Sequence, residues 1–309
     1  GAPLSRDDAT RFKEAVELVE SGQTAKALPA LLKLEGRMGP LTDYHLFYTA
    51  GCLIAAGRGK DARAYMETLL KMKGSVFRHK LPLMIAQSYF LDENYEKAAS
   101  SYEEALKKSS DGGKQGAELR MMLARCYEKD DKPLRAKAVY GEIIRDFPFA
   151  REEAESALDA MKKLAPTFSM PETWKSDRVE AFEKKRMYGA ALEEFETLKV
   201  PKDKQDKQAH LYRKAALMYK ARKSYDESLK ILMQLIGQKS SLSDRALLLA
   251  ARIKARQGDI KGARVLFQLH LKRYPGSGQK GDVLMSLLKL DVQEKRWSFI
   301  IKNYTKFDK

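Results

Sequence analysis

Small residues recur along this chain at one fixed interval, each followed by a large apolar side chain. The stretch "ARQGDIKGARVLF" (residues 255–267) shows the unit: an alanine-rich run, a glycine, a polar turn, a small residue and then an aromatic. Aligned on Ala263, small residues stand at Ala27, Ala62, Ala98, Ala136, Ala191, Ser228, Ala263 and Ser298. Twelve positions before each lie Ala15, Ala50, Ala86, Ala124, Val179, Ala216, Ala251 and Ser286. Four positions after the second small residue come Leu31, Met66, Tyr102, Tyr140, Phe195, Leu232 and Phe267. Three after the first come Tyr89, Tyr127, Phe182 and Tyr219, while Tyr95, Tyr188 and Tyr225 share a further slot. Gly22, Gly57 and Gly258 fall between the two halves, where a helix end favours a left-handed residue. Pro148 and Pro275 close their units because proline cannot continue a helix. Each unit therefore predicts two antiparallel helices joined by a tight turn.

Spacings along the first small series are 35, 36, 38, 55, 37, 35 and 35 residues. A period of about 34 residues resembles the tetratricopeptide repeat, or TPR. One helical hairpin cannot bury its apolar face, so hairpins stack, with small residues allowing close approach. The predicted fold is all-α: a right-handed TPR-like α-solenoid of about eight helical hairpins with one extra helix in the middle. Ala50, Ala62, Ala86, Ala98, Ala124, Ala136, Ala191, Ala216, Ala251 and Ala263 are its expected packing positions. The long gap holds that extra helix, "REEAESALDAMKKLA" (151–165), and an irregular stretch with two prolines. The expected organisation is a front block of four hairpins (1–150), an extra helix and hinge (151–171), and a rear block of four (172–309).

Charge divides the chain in the same region. The 309 residues carry a net charge of +16, yet residues 1–198 hold 32 basic and 32 acidic side chains, and the remainder 26 against 10. A basic rear half implies an anionic partner. In a TPR stack the first helix of each unit lines a groove, and Arg213, Lys220, Arg252 and Arg256 are spaced to face it. Guanidinium forks there suit a peptide carboxylate or an anionic polymer. Nucleic acid is disfavoured, because Tyr212, Tyr219 and Tyr225 fall in expected core slots rather than on a stacking surface. No apolar run approaches the ~20 residues that cross a bilayer, so no membrane span is expected. The opening "GAPLS" suits a processed N-terminus.

Reactive residues do not assemble into a catalytic pattern. Cys52 and Cys126 occupy one slot two units apart, roughly 20 Å at about 10 Å per helix layer, and disulfide geometry needs Cα atoms within about 7 Å. They are expected to be unpaired. His45, His79, His210 and His270 stand in different units, so neither a metal nor a cofactor is expected. Acidic pairs such as Glu103–Glu104 and Glu193–Glu194 read as solvated outer faces. No nucleophile has a base at hand, and the chain is expected to be non-catalytic.

A narrower resemblance lies in two passages. Residues 27–70, from "ALPALLKLEGRMGPLTDYHLF" onward, look like the opening of the superhelical region of soluble lytic transglycosylases. Residues 145–198 are similar to the proline-ended unit, extra helix and restarted hairpin of the same family. The resemblance implies a periplasmic or cell-envelope protein acting on peptidoglycan, with a cytoplasmic site left open. Its partners would be peptidoglycan, an anionic protein or peptide, or a catalytic domain following Lys309. That family's catalytic glutamate lies in a Glu-Ser motif followed by Gly-Leu-Met-Gln and Ala-Tyr-Asn elements. Here Glu-Ser occurs at Glu20–Ser21, Glu155–Ser156 and Glu227–Ser228 without either element, so no catalytic residue carries over. A general TPR adaptor for protein partners in envelope assembly is the rival expectation.

Overall fold

The small and large slots fall on paired helices. A computed structural model of the protein describes residues 4–108 and 112–304, and among them every regular element is helical. The first four hairpins are α1 (Arg6–Glu20) with α2 (Thr24–Lys33), α3 (Thr42–Ala55) with α4 (Gly59–Lys71), α5 (Leu81–Leu91) with α6 (Tyr95–Lys108), and α7 (Lys114–Lys129) with α8 (Pro133–Asp146). A single helix, α9 (Arg151–Leu164), follows. The rear hairpins are α10 (Glu172–Lys184) with α11 (Tyr188–Phe195), α12 (Lys204–Ala221) with α13 (Tyr225–Gly237), α14 (Ser243–Arg256) with α15 (Ile260–Arg273), and α16 (Lys280–Gln293) with α17 (Trp297–Tyr304). No described helix is long and apolar enough to cross a membrane.

The chain divides between Ser169 and Met170 into two compact units. Within the first, the second helix of each hairpin packs on the first helix of the next, as α2 on α3, α4 on α5 and α6 on α7. The same order continues as α8 on α9, with α7 also touching α9. The extra helix thus takes the place that the first helix of a fifth hairpin would occupy, burying Ala154, Ala157 and Met161. In the second unit α11 packs on α12, α13 on α14 and α15 on α16.

One backbone device makes every turn. Gly22, Gly57, Glu93, Asp131, Arg186, Arg222, Gly258 and Lys295, one per hairpin, hold left-handed φ values from 52° to 83°. The N–H after each reaches back to a carbonyl of the last helical turn, as in Gln23 to Leu18 (2.8 Å), Lys132 to Tyr127 (2.8 Å) and Arg296 to Asp291 (2.9 Å). These bonds satisfy helix-end carbonyls that would otherwise lack partners. Only three of these positions are glycine; a side chain there costs roughly 1–2 kcal/mol, offset by the capping bonds and the docked hairpin.

Nine of the ten expected packing alanines are fully buried: Ala50, Ala62, Ala86, Ala98, Ala124, Ala136, Ala191, Ala251 and Ala263. Ala216 is half-buried, and Ala215 takes its place with no exposed surface. The cause is one extra residue in the α12–α13 turn, where Ser224 is left-handed as well as Arg222. Counting back seven from Arg222, as from the other left-handed residues, reaches Ala215, whose carbonyl accepts the Ser228 hydroxyl at 3.0 Å. The same slip puts Met218 in the buried slot and leaves Tyr219 half-buried beside it, packed against the edge of the core. Tyr212 and Tyr225 are likewise half-buried. In the last hairpin the register moves by two, and Ser298 is exposed.

The large slots are core as expected, with Leu31, Met66, Tyr102, Tyr140, Phe195, Leu232 and Phe267 buried. An Ala136→Leu substitution in α8 inserts methylenes where α7 already packs, so the folded state loses about 1–3 kcal/mol. Urea unfolding checks this against Leu134→Ala, an exposed position on the same helix whose midpoint stays within error.

Candidate functional site: the first-helix face of the second unit

Helices α10, α12, α14 and α16 are the first helices of their hairpins, and their cations meet three different fates. Glu183 on α10 accepts a bond from Arg213 at 2.9 Å and from Lys220 at 3.1 Å. Burial works to raise the Glu183 carboxyl, but these two bonds outweigh it and hold its pKa below the ordinary value. Arg213 also stands 5.6 Å from the Phe195 ring centre and Lys220 5.3 Å from that of Tyr188. These two cations therefore clamp α12 onto the preceding hairpin, leaving a single net positive charge on the triad.

Arg252 and Arg256, one turn apart on α14, are less matched. Arg252 reaches Asp282 of α16 only at 3.7 Å, with both side chains well exposed. Such a contact is worth little in water. Arg256 lays its guanidinium 4.0 Å from the Tyr219 ring centre and donates from Nη1 to the Tyr219 carbonyl at 3.1 Å. That carbonyl lies in the last turn of α12, the negative end of the helix, so the contact holds the guanidinium in place without a carboxylate. Arg245, seven positions before Arg252, presents a third guanidinium on the same face of α14. Burial raises the Tyr212 hydroxyl, with the charges of Arg245 and Arg252 acting in the opposite direction.

The structure thus separates the four predicted cations into two pairs. Arg213 and Lys220 converge on Glu183; Arg252 and Arg256 remain on the surface of α14. Sequence reasoning missed Arg245, although its spacing from Arg252 was a readable signal. It also missed Tyr219, hidden by the register slip. The remaining candidate chemistry lies elsewhere. Cys52 and Cys126 are free and buried, and burial pushes the Cys126 thiol up to about 12. Among the described residues no group of three His, Cys, Asp or Glu side chains stands together as a metal site. Glu194, expected to be solvated, is instead gripped at two points by Arg178 at 2.9 Å each, tying α11 to α10.

Family models agree with this repeat architecture. Residues 12–75 and 83–151 match one family model described as tetratricopeptide repeat, and residues 245–277 match a second with the same description. No curated protein matches the chain. Among solved structures, a tetratricopeptide repeat protein from Parabacteroides merdae is similar at 14% identity and a TM-score of 0.41, over 93% of this chain and all of that one. The TPR2AB domain of yeast Sti1 in complex with a pHSP90 is similar at 14% identity and a TM-score of 0.33, over 82% of this chain and 97% of that one. Pseudomonas aeruginosa pilF is similar at 14% identity and 0.34, over 90% and 97%. The repeated hairpins and the matched family models show that this chain carries tetratricopeptide repeats, a helical scaffold of the kind that binds protein or peptide partners.

Proposed function

We propose that this chain is a non-catalytic binding scaffold whose second unit takes an acidic peptide across the first-helix face of α14. One observation carries the reading: Arg256 is fixed by a tyrosine ring and a carbonyl rather than by a carboxylate, beside Arg252 and Arg245 on one helix face. At 1.5 Å per residue, Arg252 and Arg256 are about 6 Å apart along the axis, and Arg245 and Arg252 about 10 Å. An extended peptide advances about 3.3 Å per residue. Carboxylates two and three residues apart therefore match the cations, which predicts acidic side chains at i, i+3 and i+5. Immobilised guanidinium groups lose less freedom on pairing than floating ones, so the site is prepared for such a ligand.

A fluorescent peptide with glutamates at those positions in a serine background tests the reading by anisotropy. The Arg252→Glu/Arg256→Glu variant binds it at least tenfold more weakly, and affinity for the natural chain falls steeply as salt rises from roughly 0.05 to 0.5 M. Equal affinity for the two proteins rejects the assignment. The narrower reading, a helical region of a soluble lytic-transglycosylase-like protein in the cell envelope, rests on the sequence resemblance and shares this chemistry, since peptidoglycan stems carry carboxylates. Co-sedimentation with purified sacculi separates the two. Retention that the same double variant abolishes supports the envelope reading, and protein left in the supernatant removes it.

A further inference from the structure

The second helices of the rear unit leave a different opening. α14 packs against both α13 and α15, and the channel between those two is floored by Leu247 of α14. It forms a cavity of about 720 Å³ with Ile236 on one wall and Leu266 and Leu269 on the other. That lies within the about 300–1,000 Å³ typical of ligand sites. Met233 at the mouth is 50% exposed, an unusual position for a large apolar side chain beside an open channel. Two cations, Lys239 and Arg273, stand at the rim, both exposed, and no carboxylate lines the channel. Among the described residues neither cation has an acidic partner.

The arrangement is built twice. In the first unit a cavity of about 630 Å³ opens at the corresponding place, with Leu70 of α4 eight positions after Ala62, as Ile236 is eight after Ser228. Arg78 and His79 stand in the loop that follows, where the rear unit has Lys239, and again no carboxylate lines the space. The contrast is a cavity of about 420 Å³ lined by residues of α5, α7, α8 and α9, where Glu128 and Asp159 accompany Arg125, Lys129 and Lys163. Basic side chains without acids thus line both of these channels.

We infer that the α13–α15 channel is a second docking site, on the side away from the α14 arginines, for a segment of a partner protein. Its occupant seats aliphatic or aromatic side chains against Leu247, Leu266 and Leu269, and carries aspartate or glutamate beside them to meet Lys239 and Arg273. Apolar anchors supply the burial and the paired charges set direction. The walls are aliphatic, with Tyr274 the one aromatic side chain lining them, so they offer no run of stacking platforms for nucleotide bases. A channel recessed between two helices is also poorly shaped for a flat bilayer.

Gly237, the last residue of α13, provides a plug that does not disturb folding. A Cβ there would meet no heavy atom within 4 Å, and the backbone is not left-handed. A phage-displayed library of random short peptides is selected on the full chain, with the Gly237→Trp variant as the counter-selection. Peptides recovered only on the natural chain combine Leu, Ile or Phe with Asp or Glu. Their synthetic copies bind Lys239→Glu/Arg273→Glu at least tenfold more weakly and Arg252→Glu/Arg256→Glu unchanged, which keeps this site distinct from the α14 face. Circular dichroism of all three variants matches the parent. Recovery of no plug-sensitive peptide overturns the inference, as does a plug-sensitive set lacking acidic residues. Plug-sensitive binding of anionic phospholipid vesicles or of a single-stranded oligonucleotide, in place of any peptide, overturns it too.

Discussion

The Arg264→Ala variant loses about 3 kcal/mol of stability, concentrated in the last two hairpins. Asp291 of α16 is only 1% exposed, and two guanidiniums neutralise it: Arg264 of α15 at 2.7 Å and Arg296 at 2.9 Å. Arg264 also reaches Glu294 at 2.6 Å, so this one side chain ties α15 to α16 at two points. Its guanidinium titrates above the ordinary arginine value: burial alone would lower it, and the two carboxylates more than compensate. Breaking a buried pair costs about 3–5 kcal/mol because a desolvated charge is left behind. Arg296 still touches Asp291 after the substitution, which places the loss at the lower end. In a repeat protein each hairpin is held mainly by its neighbours, so the damage stays local. Hydrogen exchange of the full chain should show α16 and α17 amides losing protection while α12 amides keep theirs. The Arg264→Ala/Asp291→Leu double variant recovers part of the loss, since it removes the stranded carboxylate together with its partner. A single variant within about 0.5 kcal/mol of the parent would mean that Arg296 alone suffices.

That ion pair was invisible in the sequence, and the reason is instructive. Helix pairing follows from slots that repeat, and Ala62, Ala136 and Ala263 could be placed because each unit writes the same small residue there. The extra helix was legible for the same reason: the interval between Ala124 and Val179 is too long for one hairpin. Ion pairs between hairpins repeat only in part: Arg63 with Asp92 and Arg264 with Glu294 share one pair of slots, and other pairs belong to a single junction. Glu183 serves Arg213 and Lys220, Asp291 serves Arg264, and Tyr219 serves Arg256; each pairing depends on a side chain from the neighbouring hairpin. Register was the second blind spot. Glycine marks the left-handed turn at Gly22, Gly57 and Gly258, but Glu93, Asp131, Arg186, Arg222 and Lys295 do the same work with no compositional trace. Without that marker the doubled turn at Arg222 and Ser224 passed unnoticed, and with it the half-buried placement of Tyr219 that positions Arg256. The candidate site was therefore half readable: the cations by their charge and helical spacing, their partners only from the fold.

Replacing His270 with leucine raises stability at neutral pH by about 1–3 kcal/mol. His270 sits on α15 seven positions after Ala263, the slot that holds Leu34, Leu69 and Ile143 in other repeats, and it is 0% exposed. Neither ring nitrogen has a hydrogen-bond partner among the described residues, so the imidazole is a buried polar group in an aliphatic position. Leaving such a group unsatisfied costs about 1–3 kcal/mol, the gain expected from leucine. Burial also holds its pKa below the ordinary 6.5, with Asp244 of α14 acting in the opposite direction. The folded state therefore keeps this ring neutral, while the unfolded chain protonates it below about 6.5. Stability is level above that pH and declines as pH falls through 6.5 toward the lowered folded value. His210 acts with the same sign: burial, then the charges of Lys214 and Arg213, lower it too. Urea unfolding at pH 7.5 and 5.5, roughly one unit either side of the ordinary imidazole value, should show the parent weaker at the acid end and His270→Leu with a shallower decline. His210 contributes to the residual slope, and His210→Gln reduces it further. If His270→Leu is less stable than the parent at pH 7.5, the ring has a partner that its surroundings do not reveal, and the argument from its orphaned nitrogens fails.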